Sequence, residues 1–467
     1  MSRRAVNELA DMVKGPVLES GQSGYQAECA AYQRIVRHRP ALVVGATGGA
    51  DVAAAVSFAA RHDLGIGVQA TGHGAAVPAD GGLLVSTRRM AGLHVDPGAR
   101  TVRLEAGVRW EQVIHAAAAH GLAPLSGSSP DVGAVGYTLG GGLGLLGRKH
   151  GYAADHVRWI DVVTLDGRLR RTSPAEHPEL FWALRGGKGN FGVVVAMEAD
   201  LIPVPSLYGG VLIFPGRDAG DVLREYLRWS AEAPEEMSSS IALIRHASPD
   251  EVPGLRDGLA VHVRVAYLGS GRRGAELISP LRGLRPVLDT VADMPYTRVG
   301  SIHNDPREPG VYHERMMMLG RLDDQAAGVL MELAGPGARC PVRLVELRQL
   351  GGALGRAPAV PNSVGNRNAA FALFSASPAA RQEEADEVAA AQARLLARMQ
   401  PWGTGGKYVN FLAGRADPAE VLACYSAADH RRLATIKAAY DPRNLFRFTH
   451  NIPPAATAED LRFDYSE

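Results

Sequence analysis

Cysteine, aromatic rings and net charge are all scarce in this 467-residue chain, and each shortage removes a class of protein. The three cysteines, Cys29, Cys340 and Cys424, are far apart and form no CxxC pair. That spacing excludes a disulfide framework and a structural zinc site, and leaves buried thiols as the expectation. The 50 lysines and arginines cancel all but one of their charges against 49 acids. No block of about five like charges stands out, so there is no footprint for nucleic acid or an anionic membrane. No run of about 18 apolar residues occurs, and Met1-Ser2-Arg3-Arg4-Ala5-Val6-Asn7-Glu8 turns acidic where an export signal has its apolar core. Internal repeats are absent too, which removes solenoids. A cytoplasmic protein, monomer or homodimer, with a small-molecule partner, no nucleic acid, no membrane and no metal is the expectation.

The length is enough for two or three lobes and a large buried cofactor. From Ala41 to Pro203 short strands alternate with helices. Apolar residues at helical spacing predict a helix from Asp51 to Leu64, then a strand at Gly65 to Val68. Alternation predicts a strand from Arg100 to Gly107, with a helix from Trp110 to His120 after it. Asp166-Gly167 between two extended runs, Val157 to Arg171, predicts a hairpin. Beyond Pro203-Val204-Pro205 glycine thins out, and helices are expected at Asp218 to Glu232, Ser377 to Met399 and His430 to Tyr440. A strand is expected at Lys407 to Leu412, and the tail is expected to pack back on the first lobe.

Chemistry concentrates in two glycine-rich stretches. Gln69-Ala70-Thr71-Gly72-His73-Gly74-Ala75 places one histidine in a turn, and about sixty residues on comes Ser129-Pro130-Asp131-Val132-Gly133-Ala134-Val135-Gly136-Tyr137-Thr138-Leu139-Gly140-Gly141-Gly142. Glycines let backbone N–H groups close on an anion such as a pyrophosphate, and a neutral imidazole is a competent nucleophile. Together they read as a flavin cradle with a covalent tether. Gly142-Leu143-Gly144-Leu145-Leu146-Gly147 also spells GxGxxG, but glycines and a turn precede it where a Rossmann unit needs a strand, and only Asp161 approximates the closing acid. In the second lobe, Val345 to Gly352 reads as a strand with Glu346 and Arg348 on one face and Leu347 on the other. His303, Tyr312 and His313 lie in a polar stretch with no metal spacing and receive no role.

The Gly72-His73 turn, Ser129 to Gly144, Arg185-Gly186-Gly187-Lys188-Gly189-Asn190-Phe191-Gly192-Val193-Val194, Tyr408-Val409-Asn410 and Tyr440-Asp441-Pro442-Arg443-Asn444-Leu445-Phe446 occur in order. As a set they resemble the berberine bridge enzyme-like flavoproteins, with a p-cresol methylhydroxylase-type (vanillyl-alcohol oxidase-type) FAD domain. The resemblance runs from about Arg39 to Pro453, and the heavy use of Ala, Gly, Arg and Pro is that of a high-GC bacterial gene. It implies an α+β fold: a two-part FAD-binding domain of that type plus a substrate domain with an antiparallel sheet backed by helices. The expected parts are an N-terminal helical segment (1–36), the FAD domain (37–204), the substrate domain (205–412) and a C-terminal segment returning to the FAD domain (413–467).

The resemblance further implies FAD bound through His73 as an 8α-histidyl group. Ser129 stands where many relatives carry a second tethering cysteine, so the attachment is expected to be mono-covalent. Gln69 and Thr71 replace the usual Arg and Gly. The implied cofactor-binding set is Gln69, Ala70, Thr71, Gly72, His73, Gly74, Ser129, Val132, Gly133, Gly136, Tyr137, Gly140, Gly141, Gly142, Gly144, Asp155, Asn190, Gly192, Val194 and Asn410. Val132 marks the flavin edge that O2 reaches, and Tyr408 matches the family's proton-accepting tyrosine. Glu346 and Arg348 would line the substrate cleft, with Glu346 polarising Tyr408 or itself acting as base, whereas Arg367 is structural. The implied reaction oxidises an alcohol or activated C–H of a small organic molecule, with hydride passing to flavin N5 and O2 yielding H2O2. A natural-product intermediate, as in antibiotic biosynthesis, is the first expectation and a sugar or oligosaccharide the second. A flavoprotein that binds or cyclises its ligand without net redox and a pyridine-nucleotide enzyme are the remaining alternatives.

Overall fold

Leu42-Val43-Val44-Gly45 and Leu83-Leu84-Val85-Ser86 lack polar alternation, and both are buried along their whole length. Strands buried on both faces read this way when they are parallel and covered. The computed structural model describes residues 2–245, 258–412, 414 and 417–456, so residues 413, 415, 416 and 457–467 of the expected C-terminal segment lie outside the described residues. The first sheet contains β1 (Val17–Leu18), β2 (Leu42–Gly45), β3 (Ile66–Gln69) and β4 (Leu83–Ser86), in the order β1-β2-β4-β3, with β2 and β3 both parallel to β4. The predicted helix is the crossover Gly49–Arg61, and the N-terminal helix Arg3–Met12 shares its core through Ala5, Val6 and Leu9.

The second sheet is antiparallel and has the order β5-β6-β9-β7-β8, with β5 (Leu93–Asp96), β6 (Thr101–Glu105), β7 (Val157–Val163), β8 (Leu169–Thr172) and β9 (Val193–Asp200). The hairpin expected at Asp166-Gly167 joins β7 to β8, with Gly167 at φ +74° as its turn requires.

Ser206 opens the third sheet: β10 (Ser206–Pro215), β11 (Met237–Arg245), β12 (Leu259–Tyr267), β13 (Leu288–Asp289), β14 (Ala292–Pro295), β15 (Tyr312–Leu319), β16 (Leu344–Gln349) and β17 (Phe371–Pro378). Its order is β13-β10-β12-β11-β16-β17-β15, all antiparallel, with β14 also on β10. One face, carrying Val261, Val263, Val345, Leu347 and Leu373, packs on Tyr226, Leu330, Leu395 and Met399 of the helices Ala219–Glu232, Asp324–Ala334 and Gln382–Met399. The opposite face turns Ala266, Met316, Met318 and Ala372 toward the first lobe. The fold is α+β, as the resemblance implied.

Two elements differ from expectation. Ser377 and Pro378 stay in β17 because they pair with His313 and Tyr312, so the long helix begins only at Gln382. Lys407 to Leu412 forms no strand: Gly403 to Gly406 already pairs with Met318 and Leu319, Lys407 N–H donates to Ala423 O, and Val409–Phe411 closes as a 3-10 turn.

The tail returns to the first lobe, where Leu445 O accepts the Ile66 N–H (2.7 Å). Lys437, fully buried, donates to Asn190 O (2.7 Å), Asp441 Oδ2 (2.6 Å) and Phe446 O (3.0 Å), and Asp441 also accepts the Leu445 and Phe446 N–H groups. The Tyr440 to Phe446 motif is thus a self-capping turn built on one buried ion pair. Burial pushes the Lys437 ammonium down to about 8 against the pull of Asp441. Lys437→Met leaves Asp441 without its counter-charge and is expected to lower stability by about 3–5 kcal/mol, read from urea unfolding of the purified protein.

Candidate active site

β3 delivers the glycine-rich turn to the seam between the lobes. Gly72 has φ +73°, and a Cβ there would strike Ala31, so only glycine fits. Among the described residues, no backbone N–H from residue 71 to residue 77 donates to a protein acceptor. His73 Nδ1 lies 2.9 Å from Thr71 Oγ1, which also accepts the Gly133 N–H (3.3 Å). Nε2 is buried with no partner among the described residues, and the ring stacks on Tyr32 at 3.8 Å. Burial, with Arg109 adding to it, pushes the imidazole down to about 4, so His73 is neutral at physiological pH.

The second loop faces this turn. The N–H groups of Ser128, Ser129, Asp131 and Val132 have no protein acceptor among the described residues, while Ser128 Oγ donates to Asp305 (2.6 Å). Ser129 and Val132 are half-buried and Gly136 is exposed. Two rows of unclaimed donors flanking an unclaimed imidazole nitrogen fit a dinucleotide that carries a pyrophosphate and a flavin ring. His73, Thr71, Ala70, Gly72, Gly74, Ser129, Val132, Gly133 and Gly136 all lie on or beside these loops.

Other residues expected at the cofactor are committed elsewhere. The Gln69 amide donates to Glu28 O (3.2 Å) and Ala30 O (3.1 Å) and its oxygen meets His38, so the side chain anchors the N-terminal segment. Asp155 pairs with Arg367 (2.6 Å) and accepts from Tyr152 N and Asn362. Asn190 bonds Gly187 O, His450 O and Ile452 N, tying down the tail. Gly192 and Val194 pack within β7 and β9. Gly140, Gly141, Gly142 and Gly144 are not an open nest: a Cβ on them would strike Asn410, Tyr408, Tyr137 or Ser126 O. Gly142 to Gly147 sits between short helices, with no Rossmann strand before it.

Tyr408 and Asn410 share one side through the 3-10 turn. Tyr408 Oη accepts the Leu143 N–H (2.9 Å), and Asn410 Nδ2 donates to Tyr137 O (2.8 Å) and approaches Tyr408 Oη (3.4 Å). Burial, with Tyr152 adding to it, pushes the Tyr408 phenol far above its usual value. Among the described residues no lysine or arginine hydrogen-bonds Tyr408 Oη, so burial weighs against the expected role as base.

β16 supplies the polar wall. Glu346 and Arg348 do share a face, with Leu347 in the opposite core. Glu346 is 1% exposed; Oε1 accepts from Ser240 Oγ (2.8 Å) and Arg264 Nη1 (2.8 Å), and Oε2 from Arg348 Nε (2.8 Å). Burial alone would raise this carboxyl, but Arg348, His303 and Arg264 together hold it well below the carboxylate range. Glu346 is thus the counter-ion of two guanidinium groups, and both of its oxygens already accept hydrogen bonds. The wall borders a small, partly open cleft lined by Ser128, Leu143, Ser240, Arg264, His303 and Arg348, among others. His303, given no role from sequence, stands in it with Nε2 3.4 Å from Glu346 Oε1.

The family model described as an FAD binding domain matches residues 40–173, and the one described as berberine and berberine like matches residues 407–453. (R)-6-hydroxynicotine oxidase of Paenarthrobacter nicotinovorans is 29% identical over 475 residues, 97% of this chain and 99% of that one. The crystal structure of 6-hydroxy-D-nicotine oxidase from Arthrobacter nicotinovorans has a TM-score of 0.80 at 26% identity, covering 94% of this chain and 98% of that chain. The chain belongs to the berberine bridge enzyme-like FAD-linked oxidoreductases. Chitooligosaccharide oxidase of Gibberella zeae is 31% identical over 208 residues, 44% of this chain and 41% of that protein. This berberine bridge enzyme-like protein is an FAD-dependent oxidoreductase. No helix among the described residues is long and apolar enough to cross a membrane. Glu346→Gln strips the counter-charge from two buried guanidinium groups and is expected to cost about 3 kcal/mol of stability, checked by denaturant unfolding.

Proposed function

We propose that the protein is an oxidase that removes hydride from the alcohol carbon, or an activated C–H, of a small organic molecule, with FAD tethered at His73 alone and O2 as the final acceptor. The observation that carries this reading is the buried, neutral and unpartnered His73 Nε2 set among unclaimed N–H donors. FAD, when bound, supplies the two-electron acceptor and gives its electrons to O2 as H2O2. The protein's own contribution begins with holding: residues 71–77 and 128–133 face the cofactor's phosphates and ring, and Gly133 N–H keeps Thr71 against His73. Ser129 has no thiol to offer, which supports a single tether. Val132 is small and half-buried at the edge of the cradle, a suitable entry for O2.

Substrate binding falls to the cleft beside β16, whose mixed wall of Leu143, Leu145, Ala266 and Ile302 against serines and arginines suits a compact molecule with one polar end. That mixed polarity supports a natural-product intermediate or a heterocycle like the one named for the 6-hydroxynicotine oxidases. A sugar is the second reading, favoured by the hydroxyl-bearing lining of Ser128, Ser238, Ser239 and Ser240 and by the chitooligosaccharide oxidase likeness.

Acid precipitation of the purified protein is expected to keep the yellow colour in the pellet, with the flavin mass on the His73 peptide. His73→Ala should release it and Ser129→Ala should not; colour washing out of the wild type sinks the tether. Anaerobic bleaching with a panel of secondary alcohols, cyclic amines and oligosaccharides, followed by peroxide release in air, identifies the substrate class.

A further inference from the structure

His303 is the least satisfied titratable group in the cavity wall. It is 7% exposed, and among the described residues neither ring nitrogen makes a hydrogen bond of acceptable geometry, although Nε2 comes within 3.4 Å of Glu346 Oε1. Arg264 Nε, on the same carboxylate cluster, is likewise buried and without an acceptor among the described residues. Buried polar atoms in native structures are satisfied, so an unclaimed donor beside an unclaimed acceptor on a cavity wall marks the place of a ligand group.

The neighbouring acceptors are all committed. Glu346 Oε1 and Oε2 serve Ser240, Arg264 and Arg348; Gln349 Oε1 accepts from Ser239; Ser128 Oγ is turned to Asp305. Arg148 spends its guanidinium on Met237 O, Leu350 O and Ala233 O. The charged and titratable groups around His303 are Arg264 and His262 on β12, Glu346 and Arg348 on β16, and Asp305 two residues beyond it in the chain. Its place is set by the turn Tyr296–Ile302, where Tyr296 Oη reaches Pro124 O (2.7 Å) and Ser126 Oγ (3.0 Å), so the imidazole is not free to leave.

We propose that His303 is the catalytic proton acceptor for a substrate hydroxyl, with Arg264 Nε–H donating to the same oxygen and Glu346 positioning the ring. This rests on the oxidase reading and narrows its substrate class to an alcohol. Nε2–H directed at Glu346 leaves the Nδ1 lone pair as the free base. The substrate O–H breaks, its proton goes to Nδ1, and the electron pair left on oxygen forms the C=O bond as the C–H leaves as hydride to FAD, the oxidant of the established activity. The proton passes to solvent when the ketone or aldehyde departs. Burial, with Arg264 adding to it, pushes the imidazole below its ordinary value, although Glu346 pulls the other way.

The test uses the FAD-loaded enzyme and 4-nitrophenol, whose absorbance reports whether its hydroxyl has lost its proton. Bound to the wild type, the probe is expected to ionise about one pH unit lower than in water, a tenfold gain in phenolate at mildly acidic pH. His303→Asn and His303→Gln should each abolish the shift while flavin absorbance and near-UV dichroism persist, and Tyr408→Phe should retain it. A wild type that does not bind or shift the probe, a shift that survives both His303 variants, or one lost only in Tyr408→Phe overturns the assignment. Bleaching and peroxide release from the alcohol panel read the oxidase itself. A bleached flavin with no probe shift sinks His303 alone, and a shift with no bleaching by any alcohol sinks the oxidase reading.

Discussion

Three buried guanidinium groups hold the two lobes together, and the site exists because they do. Arg148 reaches from the FAD domain to carbonyls of β11 and of the segment after β16; Arg185 reaches Val360 O and Pro361 O; Arg367 returns from the substrate domain to Asp155 and lies over the Tyr152 ring. A hydrogen bond to a charged group contributes about 1.5–3 kcal/mol, and backbone carbonyls cannot move without moving the strand that carries them. These residues therefore set the gap between the glycine turn and the polar face of the third sheet. They also explain Gly351 and Gly352, at φ +79° and +55°: the chain must turn sharply there for Leu350 O to face Arg148, and a Cβ on Gly352 would strike Arg148 O.

Within that gap polar groups divide into those that are spent and those that are free. Glu346 is spent on two arginines and a serine, Asp155 on Arg367, Gln69 on the N-terminal segment and Asn190 on the tail. Such groups rigidify and carry no chemistry, because their lone pairs and protons are already exchanged with partners. Among the described residues the free ones include His73 Nε2, the N–H groups of two loops, Tyr137 Oη, His262 Nε2, His303 and Arg264 Nε. Function follows this division more closely than it follows residue type.

The same division sets how much was legible in the sequence. Period-2 alternation placed Glu346 and Arg348 on one face of a strand, and the Gly72-His73 turn was visible because only glycine tolerates those backbone angles. Direction was not visible. A motif marks where Gln69, Asp155 and Asn190 sit, but which neighbour claims each amide or carboxylate depends on residues 41, 212 and 260 positions away. The glycines from 140 to 144 read as a phosphate nest and prove to be clearance for Tyr408, Asn410 and Tyr137, since close approach to a side chain and to an anion select the same residue. His303 had no local signal at all. It enters the cavity because a single turn after β14 docks Tyr296 on Pro124 and Ser126, a contact between segments about 170 residues apart.

Burial also decides which group can work as a base in so closed a place. Desolvation disfavours the charged form of any group. A tyrosine acts as a base only as phenolate, and burial opposes the formation of that anion. A carboxylate escapes this only by gathering cations, as Glu346 does, and the cations that keep it ionised also occupy the lone pairs a base needs. An imidazole starts neutral and becomes charged only after it has taken the proton, beside a carboxylate already in place to receive that charge. The arrangement at β16 thus makes Glu346 the counter-charge beside which a neighbouring histidine can take up a proton.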